Sequence, residues 1–172
     1  MVRMKIQFTF AALFAAMFVS APIGAQEPVV GASDADALFH SKDKKLDRNK
    51  QAAYHIEKDL LEANHWDEAD KWLTPEYLQH NPNVKSGREG VVKFFGSITK
   101  PTPVPEHLTK VKVAFVNAEG DYVTVATVRE LTDSTTKEKY TTTWFDTWRF
   151  VNGKADEHWD PATIAPPAPA AK

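Results

Sequence analysis

Two extended runs meet in the stretch YTTTWFDTWRFVNGKADEHWD, residues 140–160. The dipeptide Asn152-Gly153 between them is typical of a two-residue β-hairpin turn, in which both residues need a positive φ. Before the turn, alternate residues share one face of the strand, and this face carries Trp144, Asp146 and Trp148. The stretch therefore predicts a hairpin with a carboxylate set among aromatic side chains.

A carboxylate on an apolar strand face is costly unless it is hydrogen-bonded, paired or protonated. Asp146 can be a pocket residue that takes up and releases a proton, or a structural acid paired with Arg149 or with a backbone donor. We favour the pocket residue because the face around it is aromatic. This interpretation is the starting point for the function.

Composition excludes several classes of function. The chain has 21 Lys and Arg against 23 Asp and Glu, and no basic run stands out. We therefore expect neither nucleic acid nor an anionic membrane surface as a partner. The sequence contains no cysteine, which excludes disulfides, thiolate catalysis and cysteine-based zinc sites.

The N-terminus, residues 1–25, has the three regions of a secretory signal peptide. Arg3 and Lys5 precede an apolar run over residues 6–19, and small residues follow up to Ala25. This run is shorter than the ~20 residues of a usual membrane span. We therefore expect cleavage after Ala25, a periplasmic or secreted product, and no membrane association after cleavage.

The rest of the chain divides by its periodicity. Residues 26–42 show none and are expected to be a flexible leader. Helical spacing of apolar residues follows over 43–63 and again over 66–73. Pro75, just after the second of these ranges, should end helical structure. Residues 161–172 are rich in Pro and Ala and are expected to be a disordered tail. Between leader and tail lies one folded domain, residues 43 to 160.

A third helix is predicted after Ser86, because Ser86 and Glu89 have the spacing of a capping box. Three or four strands separated by polar turns follow, and Val111, Val113 and Phe115 are expected on one strand face. Helices followed by such a meander predict an α+β domain with helices on one side of an antiparallel sheet. Strong curvature of the sheet would leave a pocket between the two layers.

Six short segments are distinctive in their order and spacing. They are YLQHNP at 77–82, GREG at 87–90, FF at 94–95, DTWRF at 146–150, NGKA at 152–155 and EHWD at 157–160. Together they resemble a SnoaL-like protein of the nuclear-transport-factor-2-like superfamily, over nearly all of the mature domain. This branch is described as predicted aldol-condensation-catalysing enzymes and is similar to polyketide cyclases.

The resemblance implies a cone-shaped α+β fold, in which N-terminal helices pack on a strongly curved antiparallel sheet that encloses a pocket. It also implies a homodimer formed through the sheet. The implied chemistry is of the lyase or isomerase type: aldol or retro-aldol reaction, dehydration, isomerisation or cyclisation of a small, largely apolar carbonyl or hydroxyl compound. Pocket carboxylates and histidines act as general acid and base, with no metal or organic cofactor.

Four residues are expected to carry this chemistry: Asp146, Asp160, His80 and His158. An aspartate would move a proton next to a carbonyl or hydroxyl, and a histidine would polarise or protonate the oxygen. Two structural alternatives stay open: Asp160 as a residue that ends the strand, and His80 as a residue that satisfies turn backbone. The expected substrate-binding residues are Tyr77, Asn81, Trp144, Trp148 and Phe94.

The sequence allows two further interpretations. A metal site with two histidines and one carboxylate could use His80, His158 and Asp160, but no typical metal-binding spacing supports it, so no metal is expected. The rival function is a non-catalytic periplasmic protein on the same scaffold, which binds small molecules or a partner. Its pocket carboxylates would be locked in salt bridges.

Overall fold

The computed structural model describes residues 27–164. The predicted signal peptide, residues 1–25, and the last part of the predicted tail, 165–172, lie outside this range. Within it, the helices are too short or too polar to cross a membrane.

The first helix, α1, spans Lys44–His55, and Asp43 is its N-cap residue. The carboxylate of Asp43 accepts hydrogen bonds from the backbone N–H groups of Lys45 and Leu46, each at 2.9 Å. These bonds satisfy N–H groups that have no partner within the helix. The helix continues as a π-helical segment over Ile56–Glu62. The long helix predicted from periodicity is therefore confirmed, with a widened C-terminal end.

A 3₁₀ turn, Trp66–Glu68, leads into the short helix α2, Ala69–Trp72. The first strand, β1, then spans Leu73–Gln79. Helical structure thus ends before Pro75, not at it. Pro75 lies inside β1, and an edge strand such as β1 tolerates a residue without a backbone N–H.

The third helix, α3, spans Arg88–Ile98 and follows Gly87, whose φ is 87°. The predicted capping box is wrong. The Ser86 hydroxyl instead accepts a hydrogen bond from the backbone N–H of Gln79 at 3.0 Å and contacts the Gln79 carbonyl at 3.4 Å. Ser86 therefore ties the start of α3 to the end of β1.

In the described part of the chain, five strands form one sheet in the order β1-β5-β4-β3-β2. The strands after β1 are β2 Val113–Glu119, β3 Tyr122–Thr132, β4 Lys139–Val151 and β5 Lys154–Trp159. β1 pairs with β5 in parallel, and the other pairs are antiparallel. The α+β fold is therefore confirmed. The sheet is mixed, however, and it curls without closing, because β1 and β2 remain its edges.

The hairpin formed by β4 and β5, the central hairpin, has the predicted turn. Asn152 and Gly153 have φ values of 51° and 79°, and Val151 pairs with Lys154. The predicted faces of β4 are also confirmed, since Trp148 is buried and the neighbouring Arg149 is not.

The predicted face of β2 is wrong. The register against β3 shifts between Val113 and Phe115, so Val113 is fully buried while Phe115 is 47% exposed. An extra residue on one strand reverses the alternation of side chains beyond it. Phe115 therefore lies on the outer face of the sheet, away from the helices.

The described part of the predicted flexible leader packs against the domain. The backbone N–H of Ala32 donates to the Val113 carbonyl at 2.7 Å. A 3₁₀ turn over Asp36–Phe39 follows, and the Phe39 side chain is fully buried. The expectation of a flexible leader is therefore corrected for its later part: Phe39 belongs to the core and Ala35 and Leu38 pack against it, whereas Val30 is exposed.

Candidate active site

A cavity of about 260 Å³ lies between the helices and the inner face of the sheet. Its apolar wall is formed by Ile56, Leu61, Trp66, Leu73, Val91 and Phe95. The strands, and the residue that follows β5, contribute the remaining side chains: Tyr77, Gln79, Arg129, Trp144, Asp146, Trp148, His158 and Asp160. Polar groups therefore converge on one side of a largely apolar space, as in typical small-molecule sites.

Three of the four predicted catalytic residues, Asp146, His158 and Asp160, line this cavity. The structure corrects the prediction for His80. Its Nε2 atom lies 2.9 Å from a carboxylate oxygen of Glu157, and its ring stacks on Trp159 with the ring centres 5.1 Å apart. His80 therefore lies outside the cavity.

Strand alternation explains the position of His80. Cross-strand partners share a face, so Trp148 and its partner His158 point inward, whereas Trp159 points outward. Along β1 and its continuation, Tyr77 and Gln79 point into the cavity, which directs His80 to the outer face. The same alternation could have identified Gln79 from the sequence.

The predicted substrate-binding residues divide in the same way. Tyr77, Trp144 and Trp148 line the cavity, but Asn81 and Phe94 do not. The Asn81 side chain lies behind the site and binds Asp160, as described below. Phe94 packs edge-on against Phe95, with the ring centres 5.0 Å apart, and Phe95 reaches the cavity instead. Val91 and Phe95 are four residues apart, so helical spacing places them on one face of α3.

The polar part of the candidate site is a chain of hydrogen-bonded side chains. His158 Nε2 lies 3.0 Å from Asp146 Oδ1, and His158 Nδ1 lies 2.8 Å from Gln79 Oε1. The indole N–H of Trp144 donates to the same Asp146 oxygen at 3.3 Å. His158 and Asp146 are both largely withdrawn from solvent, with side chains 7% and 13% exposed.

This network fixes where the protons lie. Gln79 Oε1 also accepts the backbone N–H of Asn81 at 3.1 Å, so this atom is the amide oxygen. His158 Nδ1 must then carry a proton and donate it to Gln79. The remaining nitrogen, Nε2, faces a carboxylate oxygen, and a contact at this distance requires a proton between them. His158 and Asp146 therefore share one proton.

The second oxygen of Asp146 completes the arrangement. Oδ2 accepts no hydrogen bond from the residues that the structure describes, whereas Oδ1 has two neighbouring donors. Oδ2 is therefore the atom of this pair that can accept a proton from a ligand.

Asp160 has a different role. Its Oδ2 accepts a hydrogen bond from the Asn81 amide at 2.8 Å, and its Oδ1 accepts the backbone N–H of Ala162 at 2.9 Å. Both oxygens are thus held by the protein, which supports the structural alternative for this residue. Oδ2 also lies 4.0 Å from His158 Nδ1.

Tyr77 offers a hydrogen-bond donor to the cavity. The indole N–H of Trp148 donates to the Tyr77 oxygen at 3.1 Å. Because indole can only donate, the Tyr77 oxygen accepts here and its own proton remains for another acceptor. Burial, together with the charges of Asp146 and Asp160, raises the pKa of Tyr77, so the hydroxyl keeps its proton.

The π-helical segment places a further acid beside this site. Glu57 is 2% exposed, and its Oε1 atom has no hydrogen-bond partner within the described residues. Burial raises the pKa of Glu57 well above its usual value, and the charges of Asp146 and Glu62 raise it further. Glu57 is therefore a buried acid whose environment favours the protonated, neutral form. The sequence contained no signal for it.

Within residues 27–164, one group of side chains has ligand atoms close enough for a metal ion: Asp146, His158 and Asp160, within 4.8 Å of one another. Both nitrogens of His158 already face protein oxygens, and both oxygens of Asp160 accept protein N–H groups. A metal would have to displace these hydrogen bonds. The donor set therefore fits proton transfer better than metal binding.

Comparisons with known proteins agree with this fold. The chain is similar to a candidate polyketide cyclase from Acidithiobacillus ferrooxidans, with 15% identity, coverage of 70% of this chain and 89% of that chain, and a TM-score of 0.50. It is also similar to a candidate SnoaL-like polyketide cyclase from Jannaschia sp. CCS1, with 17% identity, coverage of 74% and 99%, and a TM-score of 0.50.

At these identities the structural likeness shows the fold alone. No curated protein has a significant match to the sequence. A family profile described as a SnoaL-like domain matches residues 54–158, more than half of the chain, and this range includes β1, α3 and the central hairpin. The chain therefore belongs to the SnoaL-like domain family.

Proposed function

We propose that this protein is an exported, cofactor-free enzyme of the polyketide cyclase or isomerase type. It removes and returns a proton next to the carbonyl of a small, largely apolar compound. The observation that carries the proposal is the 3.0 Å contact between His158 Nε2 and Asp146 Oδ1, in a cavity that is also lined by the Tyr77 side chain.

The geometry supports a simple reaction. Asp146 Oδ2 takes a proton from the carbon next to the substrate carbonyl, and the electron pair of the broken C–H bond moves to the carbonyl oxygen. The Tyr77 hydroxyl donates a hydrogen bond to this developing negative charge. His158 stays bonded to Asp146 Oδ1 and stabilises the charges of the pair.

The enolate then follows one of two courses. In an isomerisation, Asp146 returns the proton to a different carbon. In an aldol reaction or cyclisation, the enolate carbon attacks a second carbonyl of the substrate, and the Asp146 proton is passed to the new alkoxide. Dehydration follows when Asp146 removes a second proton from the carbon next to the carbonyl: the C–H electron pair forms a C=C bond, the C–O bond breaks, and the hydroxyl leaves as water with the proton from Asp146.

Exchange of substrate hydrogen for solvent deuterium tests the proposal without knowledge of the natural substrate. A panel of small ketones and 1,3-dicarbonyl compounds is incubated with the protein in D₂O and followed by NMR. We expect catalysed exchange next to the carbonyl, and a loss of about 10²–10⁴-fold in Asp146→Asn. His80→Gln is the matched control, because His80 lies on the outer face.

Two results would contradict the proposal: an unchanged exchange rate in Asp146→Asn, or no catalysed exchange with any member of the panel. Mass spectrometry of the protein mixed with a cell extract tests the rival function. A non-catalytic binding protein would retain a compound that is recovered unchanged.

Export is part of the proposal and rests on the sequence of residues 1–25, with its basic start, apolar run and small residues before Gln26. Expression of the full chain in a Gram-negative host, followed by fractionation and mass determination, tests it. We expect periplasmic protein beginning at Gln26. Full-length protein in the cytoplasm would contradict export.

A homodimer through the outer face of the sheet is also proposed. Phe115, Ala126 and Phe145 are cross-strand neighbours on this face. The two phenylalanines are 47% and 42% exposed, and their ring centres lie 6.2 Å apart. An exposed aromatic row across a sheet supports burial against a second copy of the chain.

A further inference from the structure

A single arginine lies at the edge of the catalytic cavity. Arg129 is on β3 and follows the same alternation as Val123 and Val125, which are fully buried on the inner face of the sheet. Its side chain lines the cavity that contains Asp146. Arg129 is exposed to solvent, so the strand places a positive charge at the mouth of the cavity.

Trp144 holds this arginine in place. The guanidinium carbon of Arg129 lies 3.7 Å from the centre of the Trp144 ring. Stacking on an aromatic face fixes the guanidinium plane and leaves the N–H groups at its edge free to donate. Since Trp144 also donates to Asp146, the indole connects the arginine to the catalytic pair.

The charge of Arg129 is not neutralised within residues 27–164, where no carboxylate forms an ion pair with it. Arg149 provides the contrast, because it pairs with both Asp156 and Glu157. The guanidinium N–H groups of Arg129 are thus available to a ligand. A planar guanidinium binds a carboxylate through two parallel hydrogen bonds.

The cavity has its polar side chains in a fixed order along β4: Arg129 stacks on Trp144, Trp144 donates to Asp146, and Trp148, two residues further on, donates to Tyr77. Its volume of about 260 Å³ is below the ~300–1,000 Å³ of sites for drug-sized ligands. A compact molecule with an apolar body, an anionic group and a carbonyl matches these features.

We propose that Arg129 binds a substrate carboxylate at the edge of the cavity and that the substrate is a compact, largely apolar carbonyl compound with one carboxylate. The carbonyl end faces Asp146 and Tyr77. This inference rests on the proposed function for the role of the carbonyl. Carboxylate binding itself does not require turnover and is measured separately.

Calorimetric titration at neutral pH tests the inference with benzoate, phenylacetate and phenylpyruvate, each against its primary amide. The amide has the shape of the acid without its charge. We expect at least one carboxylate to bind about tenfold or more tightly than its amide, equivalent to about 1.4 kcal/mol. Arg129→Gln should abolish this preference, and Arg129→Lys should keep part of it because the charge remains without the fork.

Lys139→Gln is the matched control, since it removes one positive charge from an exposed position on the neighbouring strand, β4. It should retain the full preference. Near-ultraviolet circular dichroism establishes that each variant is folded. Equal binding of acids and amides by the wild-type protein, or the same loss in Lys139→Gln as in Arg129→Gln, would overturn the inference.

Asp146→Asn separates this inference from the proposed function. It should abolish deuterium exchange and retain the preference for carboxylates. Catalysed exchange without a carboxylate preference would contradict carboxylate binding by Arg129 and leave the proposed function standing. A carboxylate preference that depends on Arg129, together with unchanged exchange in Asp146→Asn, would contradict the proposed catalysis and leave carboxylate binding by Arg129 standing.

Discussion

His158 Nε2 lies 3.0 Å from Asp146 Oδ1, although the two residues are twelve positions apart in the chain. The hairpin turn brings them together, because β4 and β5 place Trp148 opposite His158 and Asp146 next to that pair on the same face. Gln79 holds the other side of the imidazole from β1. Three strands thus orient one shared proton.

Because Asp146 and His158 share this proton, the two residues should act as a unit. We expect Asp146→Asn and His158→Gln each to lower the exchange rate by about 10²–10⁴-fold. The double variant should lose little more than the worse single variant, since removing either partner already disrupts the pair. Rates of the four proteins are compared in a double-mutant cycle. Losses that multiply would show that the residues act independently.

Gln79 should act through His158. Gln79→Leu removes the acceptor of the Nδ1 proton, so the imidazole loses its fixed orientation. We expect kcat to fall by roughly tenfold or more while KM changes little, and the ¹⁵N shifts of His158 to report a changed tautomer population. Gln79→Glu, which keeps an acceptor, should preserve the protonated Nδ1. Unchanged ¹⁵N shifts in Gln79→Leu would contradict this role.

Glu57 should make the fold less stable as the pH rises. Its native pKa is raised, so the native state keeps a proton that the unfolded state loses. The free energy of unfolding should therefore fall as the pH rises above ~4.5 and continue to fall up to the native pKa.

Urea denaturation between pH 4 and pH 9 measures this dependence. Glu57→Gln should remove this part of the slope, and Glu76→Gln, at an exposed position of β1, should retain it. The same slope in all three proteins would show that Glu57 is already ionised.

Glu62, five residues after Glu57, should have the opposite effect. Burial raises the pKa of Glu62, but hydrogen bonds from Thr109, Lys110 and Val111 outweigh burial and lower it overall. Its stabilising contribution is present above the usual pKa of a glutamate and is lost as the pH falls through the lowered native value.

We expect Glu62→Gln to destabilise the protein by about 2 kcal/mol at pH 7, because an amide cannot accept all of these bonds. The difference from wild type should shrink in acid. Urea denaturation of both proteins at pH 7 and in acid measures the difference in the free energy of unfolding. A difference that persists below the native pKa of Glu62 would contradict an ionic origin.

The outer face should control association. Phe145→Asp places a charge in the middle of the exposed aromatic row, opposite Ala126, and should convert a dimer to a monomer without loss of the fold. Analytical ultracentrifugation over a range of concentrations measures the association. Ile98→Asp, at an exposed apolar position of α3, should leave the dimer intact. A monomeric wild-type protein would contradict the proposed dimer.

The sequence was informative where local patterns govern structure. Asn152-Gly153 predicted the hairpin, and period-2 alternation placed Trp144, Asp146 and Trp148 on one face. Helical spacing predicted α1. These features depend on neighbours in the chain, so the residues alone carry the information.

The sequence was misleading where a local signal competed with a distant contact. Ser86 has the spacing of a helix cap, yet its hydroxyl binds Gln79 on β1. A shift in register after Val113 reversed the face of Phe115, because the pairing with β3 determines that shift. The imidazole of His80 suggests a catalytic role, but the alternation from Tyr77 directs this side chain outward.

The sequence by itself determined the hairpin, the aromatic face and the carboxylate within it. Only the tertiary structure decided which groups meet that carboxylate: His158 across the hairpin, Gln79 from a parallel edge strand, Glu57 from the widened end of α1, and Arg129 over Trp144. The physical reason is that proton sharing, burial and charge pairing depend on distances in space. Those distances are set by the strand register and the packing of the helices, not by positions along the chain.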